Sequence, residues 1–112
     1  MKRYGMVLRL DEEKVEEYKR LHAAVWPAVL EAIEASNIRN YSIYLHKLDS
    51  AGYHLFSYFE YVGSDFEADM AKMAADPETQ RWWGVCKPCQ EPLENRAEGE
   101  WWATMSEVFH HD

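Results

Sequence analysis

The chain predicts an α+β domain of ferredoxin-like order, βαββαβ, and three observations carry that prediction. Apolar residues alternate at Tyr4, Met6, Leu8 and Leu10, the period of a strand with one buried face. Two further alternating segments, Arg39 to Lys47 and Tyr53 to Tyr61, flank the turn-forming Asp49-Ser50-Ala51-Gly52 and make a hairpin. Helical spacing of apolar residues fills the intervals on either side of that hairpin. At 112 residues the chain is long enough for one core, so a single domain over 1–112 with no internal linker is expected.

Each element has its own signals. Asp11 caps the first helix, and Glu12 and Glu13 place negative charge at the positive end of its dipole. That helix should run to about Ser36 with Val15, Leu21, Val25, Val29 and Ile33 inward, kinked between Ala23 and Pro27 because proline removes a backbone donor and clashes with the preceding turn. In the second strand Tyr41, Ile43 and Leu45 share one side, and Asn40, Ser42, Tyr44 and His46 the other. After Gly63, Ser64 or Asp65 caps a helix with Phe66, Met70 and Met73 inward. Asp76-Pro77 restarts it as cap and first helical residue, leading into Gln80-Arg81-Trp82-Trp83. Pro88 and Pro92 bound a polar loop, and Trp101 to Phe109 is expected as the last strand. Helices cover one face of this sheet, yet the strands carry aromatic residues on both sides, as at Phe56 and Tyr58 against Leu55 and Phe59. The uncovered face is therefore expected to meet a second copy, closing a barrel-like homodimer.

Charge and composition exclude several function classes. Twenty acidic against 12 basic residues give a net charge of −8, and the basic pairs Lys2-Arg3 and Lys19-Arg20 make no patch for a phosphate backbone, so nucleic-acid binding is not expected. No segment approaches the ~20 apolar residues of a membrane span, and no apolar leader opens the chain; a cytoplasmic protein without a membrane partner is expected. Cys86-Lys87-Pro88-Cys89 has redox spacing, but a thioredoxin-type site needs its first thiol at a helix start, and this pair follows a helical stretch. A structural or incidental role is expected for both thiols. His46, His54, His110 and His111 lack a compact ligand spacing, so no metal site is expected.

The richest chemistry lies in Tyr18, His22 and Trp26. Residues four apart share a helix face, so a phenol, an imidazole and an indole form one column. Histidine exchanges protons near neutral pH, the phenol donates or accepts hydrogen bonds, and the indole offers a flat apolar surface, a set suited to a sugar. Trp26, just before Pro27, is expected to shape the site rather than touch the ligand. Of the adjacent Trp82 and Trp83 only one can point inward on a helix, and the pair is the better stacking platform.

These segments resemble the L-rhamnose mutarotase family. The matching elements are Glu16-Glu17-Tyr18 with His22, Trp26-Pro27, Asn40-Tyr41-Ser42-Ile43-Tyr44-Leu45, Gln80-Arg81-Trp82-Trp83 and Glu107-Val108-Phe109, in the family's order across nearly the whole chain. The resemblance implies a dimeric α+β barrel that interconverts the α and β anomers of a 6-deoxyhexose, most simply L-rhamnose, without metal or organic cofactor. It implies His22 as proton donor and Tyr18, Tyr41, Trp82 and Trp83 as sugar contacts. Two departures, the segment Glu91 to Ala97 and a longer hairpin around Ala51 to His54, alter the rim and leave L-fucose as the alternative sugar. The same fold also serves cofactor-free monooxygenases, haem-degrading enzymes that would use His22 or His54 as axial ligand, and non-enzymatic ligand-binding modules.

Overall fold

In the computed structural model, which describes residues 1–112, the N-terminal alternation becomes strand β1 (Lys2–Leu10) at the centre of an antiparallel sheet. The hairpin strands β2 (Ile38–Leu48) and β3 (Gly52–Tyr61) lie to one side in the order β2-β3-β1. The last part of the chain returns to the other side of β1, as the βαββαβ order requires. It does so in two short pieces, β4 (Gln90–Glu91) and β5 (Ala103–Met105), both antiparallel to β1. The expected strand from Trp101 to Phe109 is thus cut to Ala103–Met105, and Glu107 is held instead by a two-pronged contact with the Arg3 guanidinium at 2.9 and 3.2 Å.

The first helical interval also differs from a single kinked helix. A 3-10 turn over Glu12–Lys14, capped by Asp11, leads into α1 (Val15–His22). The chain then leaves helical geometry, with Trp26 extended at φ −61° and ψ 133°, and begins α2 (Pro27–Ala35). Proline at the first helical position loses nothing, because that N–H has no intrahelical partner. The backbone carbonyl of Trp26 instead accepts from Val29 and Leu30 at 2.9 and 3.2 Å. Pro27 starts a helix where the sequence suggested a bent one.

On the far side of the hairpin, α3 (Phe66–Ala75) and α4 (Pro77–Cys86) each open on an aspartate. Asp65 accepts from the Ala68 amide at 3.1 Å, and Asp76 from the Thr79 amide at 2.9 Å. A 3-10 turn at Lys87–Cys89 then carries the chain to β4.

The core lies between the sheet and the helices. Leu8, Leu10 and Leu55 from the sheet pack with Val15, Tyr18, Val29, Trp82, Cys86 and Cys89. Register places Leu8 opposite Leu55 and Leu55 opposite Leu45, so the inward residues of three strands form one row. In β2 the pairing slips between Arg39 and Ser42, where one extra residue is accommodated and Asn40 takes the left-handed conformation at φ 51°. As a result Ile38 and Tyr41, three apart, both face the helices. The opposite face of the sheet carries no helix and displays Val7, Tyr44, Phe56, Tyr58 and Met105, with Tyr44 65 % exposed. No helix is long and apolar enough to cross a membrane.

Candidate active site

The two helical intervals converge on one aromatic cluster. Tyr18 and His22 stack with ring centres 4.1 Å apart, His22 meets the edge of Trp82 at 5.2 Å, and Trp26 meets Trp82 at 5.1 Å. The column of three therefore divides at the break between α1 and α2. Tyr18 and His22 remain one turn apart on a helix, while Trp26 packs edge-on against Trp82. Of the adjacent tryptophans, Trp82 is buried and Trp83 half-buried, its ring capped by the Lys87 ammonium at 5.4 Å.

Tyr41 enters from the sheet, where the irregularity in β2 turns it to the helix side and against the edge of Phe59 at 5.5 Å. Its ring is 41 % exposed, but its hydroxyl is the enclosed end: burial pushes the phenol up to about 12, with the Cys86 thiol adding to the shift. The Tyr18 hydroxyl is raised still further, chiefly by burial and with smaller contributions from Cys86, Tyr41 and Cys89; its hydrogen bond from Gln90 works in the opposite sense. Both phenols are thus neutral hydrogen-bonding groups at any ordinary pH.

His22 has a defined tautomer. Its Nδ1 lies 2.9 Å from the Tyr18 carbonyl, and a carbonyl only accepts, so Nδ1 carries the hydrogen and Nε2 presents a lone pair. Burial lowers the pKa of the imidazole below its usual value, partly offset by that carbonyl bond. Near neutral pH His22 is therefore uncharged, with a basic nitrogen pointing away from its own helix backbone.

Tyr18, His22 and Trp82 are in direct contact, Tyr41 packs against Phe59 on the helix side of the sheet, and Trp83 stands at the edge under Lys87. His54 lies elsewhere. It faces the helix-free side of the sheet and bonds the Gly52 carbonyl through Nδ1 at 3.0 Å, away from the tryptophans that a haem ligand would need beside it. Cys86 and Cys89 are both free and buried, and burial raises the Cys86 thiol to about 12, the reverse of a reactive redox pair. No group of three or more His, Cys, Asp or Glu side chains is placed to hold a metal ion.

Sequence reasoning missed Gln90 and Trp101. The Gln90 amide donates to the Tyr18 hydroxyl at 3.1 Å and accepts from the Trp101 indole at 2.8 Å. Gln90 lies in a loop by its sequence and Trp101 in an expected strand, and no local pattern announces contacts that join them to each other and to Tyr18. A surface hollow of about 390 Å³ lies at the turn end of the sheet among Arg9, Lys47, Tyr53 and Glu91; its polar, mixed-charge walls include none of the clustered aromatic side chains.

Residues 3–111 match the family described as L-rhamnose mutarotase. The chain belongs to that family. An L-rhamnose mutarotase of Oceanobacillus iheyensis is 31 % identical over 112 residues, covering all of both chains. One of Bacillus subtilis is 36 % identical over 88 residues, 79 % of each. Among solved structures, the L-rhamnose mutarotase of Formosa agariphila superposes over 100 % of both chains with a TM-score of 0.74 at 18 % identity. The tetracenomycin F2 cyclase of Streptomyces glaucescens reaches 0.61, also at 18 % identity, over 99 % of this chain and 96 % of its own. The shared architecture is a mixed α+β fold with a curled antiparallel sheet. Family membership makes this protein an isomerase of the mutarotase type, and it bears out the resemblance that rested on the ordered segments from Glu16 to Phe109.

Proposed function

We propose that this protein interconverts the α and β anomers of L-rhamnose, with His22 as the proton-carrying group. The observation that carries the mechanism is the His22 tautomer: Nδ1 is committed to the Tyr18 carbonyl and Nε2 is a free base beside an aromatic surface. In the ring-opening step Nε2 accepts the proton of the anomeric hydroxyl while the bond from the anomeric carbon to the ring oxygen breaks. The imidazolium then returns that proton to the departing ring oxygen, leaving the open-chain aldehyde and neutral histidine. Rotation about the adjacent carbon–carbon bond presents the other face of the carbonyl, and the same steps in reverse close the ring as the opposite anomer. His22 is thus base first and donor second, which its lowered pKa favours over a permanently charged donor.

The remaining residues bind. Tyr18 and Tyr41 supply neutral phenols to sugar oxygens, and Trp82 and Trp83 give the apolar face and the methyl group a stacking surface. Both phenols are too weakly acidic to release a proton themselves. Their part is orientation.

Two copies are expected to associate through the helix-free sheet face, because Val7, Tyr44, Phe56, Tyr58 and Met105 form a continuous apolar patch that a soluble monomer rarely exposes. The buried unbridged thiols suit a reducing compartment such as the cytoplasm. The deciding experiment is saturation-transfer NMR on L-rhamnose and on L-fucose with catalytic amounts of protein. Faster exchange between the anomers of L-rhamnose is the expected result, and exchange at the uncatalysed rate for both sugars overturns the assignment.

A further inference from the structure

Gln90 sits in β4, opposite Leu10 of β1, and the neighbouring backbone is fixed by the Asp11 amide donating to the Cys89 carbonyl at 2.9 Å. Its side chain bridges two aromatic residues, and chemistry dictates which way it faces. The Trp101 indole N–H can only donate, so the atom 2.8 Å from it is the amide oxygen. The amide nitrogen therefore faces Tyr18, 3.1 Å away, and it too can only donate. Tyr18 must accept there, and its own hydroxyl proton is turned away from Gln90. No protein acceptor takes that proton.

Trp101 is held as well. The Lys87 ammonium lies 5.0 Å from the Trp101 ring centre and 5.4 Å from that of Trp83, so one cation clasps the outer indole of the α4 pair and the indole that orients Gln90. The orientation of the Tyr18 hydroxyl is thereby tied to the segment from Lys87 to Trp101.

We propose that Gln90, set by Trp101, is a positioning residue that makes Tyr18 a dedicated hydrogen-bond donor to the sugar's ring oxygen. The ring oxygen is the one sugar oxygen bearing no hydrogen, so it can only accept, and a phenol whose proton is free to be donated is the partner it requires. It is also where negative charge grows as the ring opens, and a donor already aimed there strengthens its bond at that moment. This role rests on the mutarotase assignment above.

The test is Gln90→Glu, with anomer exchange followed against pH and each rate taken as a ratio to wild type at the same pH. An ionised carboxylate accepts from both Trp101 and Tyr18, turning the phenol's proton back from the sugar. The expected ratio is a roughly 10- to 100-fold loss of kcat at pH 7 that recovers as pH falls and the carboxyl protonates, since a neutral carboxyl again donates to Tyr18. In a Tyr18→Phe background the same substitution should add nothing. Trp101→Phe removes the indole donor without adding charge, leaves the amide free to turn over, and should lower kcat at all pH values with little change in KM. A flat ratio for Gln90→Glu, or wild-type kcat in Trp101→Phe, overturns the role of Gln90 while leaving the mutarotase assignment standing. No catalysed exchange by the wild-type protein overturns both.

Discussion

Replacing His22 by asparagine separates its chemical role from its structural one. The asparagine amide nitrogen lies close to the position of imidazole Nδ1, so it keeps a donor for the Tyr18 carbonyl, now served at 2.9 Å. It offers no base at Nε2. What is lost structurally is the Tyr18 stack at 4.1 Å and the edge contact with Trp82 at 5.2 Å. Aromatic pairs contribute about 0.5–1.5 kcal/mol each, so the variant should lose about 1–3 kcal/mol of stability. For a chain of this length that is a fall in Tm of roughly 5–15 °C, within the ~5–15 kcal/mol that holds a domain folded. Removing a positioned acid–base group costs about 10²–10⁴ in rate, or about 2.7–5.4 kcal/mol of barrier. The assay is NMR exchange between the L-rhamnose anomers at pH 7, corrected for the spontaneous reaction, with circular dichroism establishing the fold. A folded His22→Asn protein that keeps more than about a tenth of the wild-type rate would refute the proton-carrier assignment.

Further outcomes follow from the same geometry. Burial lowers the folded pKa of His22, so in the window between that value and about 6.5 the unfolded chain binds more protons. Stability should therefore rise with pH across this window and fall as pH drops through it, and exchange should persist at pH 6.5 and decline only below; denaturant midpoints and rates measured from pH 5 to 7.5 check both. Trp82→Ala opens a void against His22 and Trp26 and should cost about 3–5 kcal/mol by urea unfolding. Gly63→Ala drives a methyl group into the Tyr61 ring and the Asp69 carboxylate that accepts from it, and should lower Tm by several degrees. Tyr44→Arg puts charge on the helix-free sheet face and should shift the protein from dimer to monomer on size exclusion with secondary structure unchanged.

The period-two and helical patterns made most of the fold legible, because burial of one face imposes them residue by residue. Leu8, Leu10 and Leu55 are buried together as the alternation demands. What escaped was non-local. The sequence shows that Pro27 cannot sit inside a regular helix but not whether the chain bends or stops, and the open geometry at Trp26 decides for stopping. The last strand covers only Ala103–Met105, although Arg3 and Glu107, which continue its register with β1, still meet as an ion pair. Within the site, Tyr18 and His22 were legible from their helical spacing, whereas Tyr41 depends on an irregular strand. Gln90 meets Tyr18 across 72 positions of sequence, and only tertiary structure makes that pair visible.

The irregularity in β2 that aims Tyr41 also guards the molecule's open border. β2 is an outer strand of 11 residues, long enough to recruit a foreign strand along its unpaired row of amides and carbonyls. A residue in left-handed geometry at Asn40, tethered by its side chain to Glu60 at 2.7 Å, breaks that row near its start. Asparagine tolerates this conformation where a β-branched residue does not. A substitution such as Asn40→Val would straighten the strand, swing Tyr41 out of the cluster and leave an uninterrupted sticky edge, so loss of sugar turnover and fibrillar aggregation on warming should arrive together from a single change.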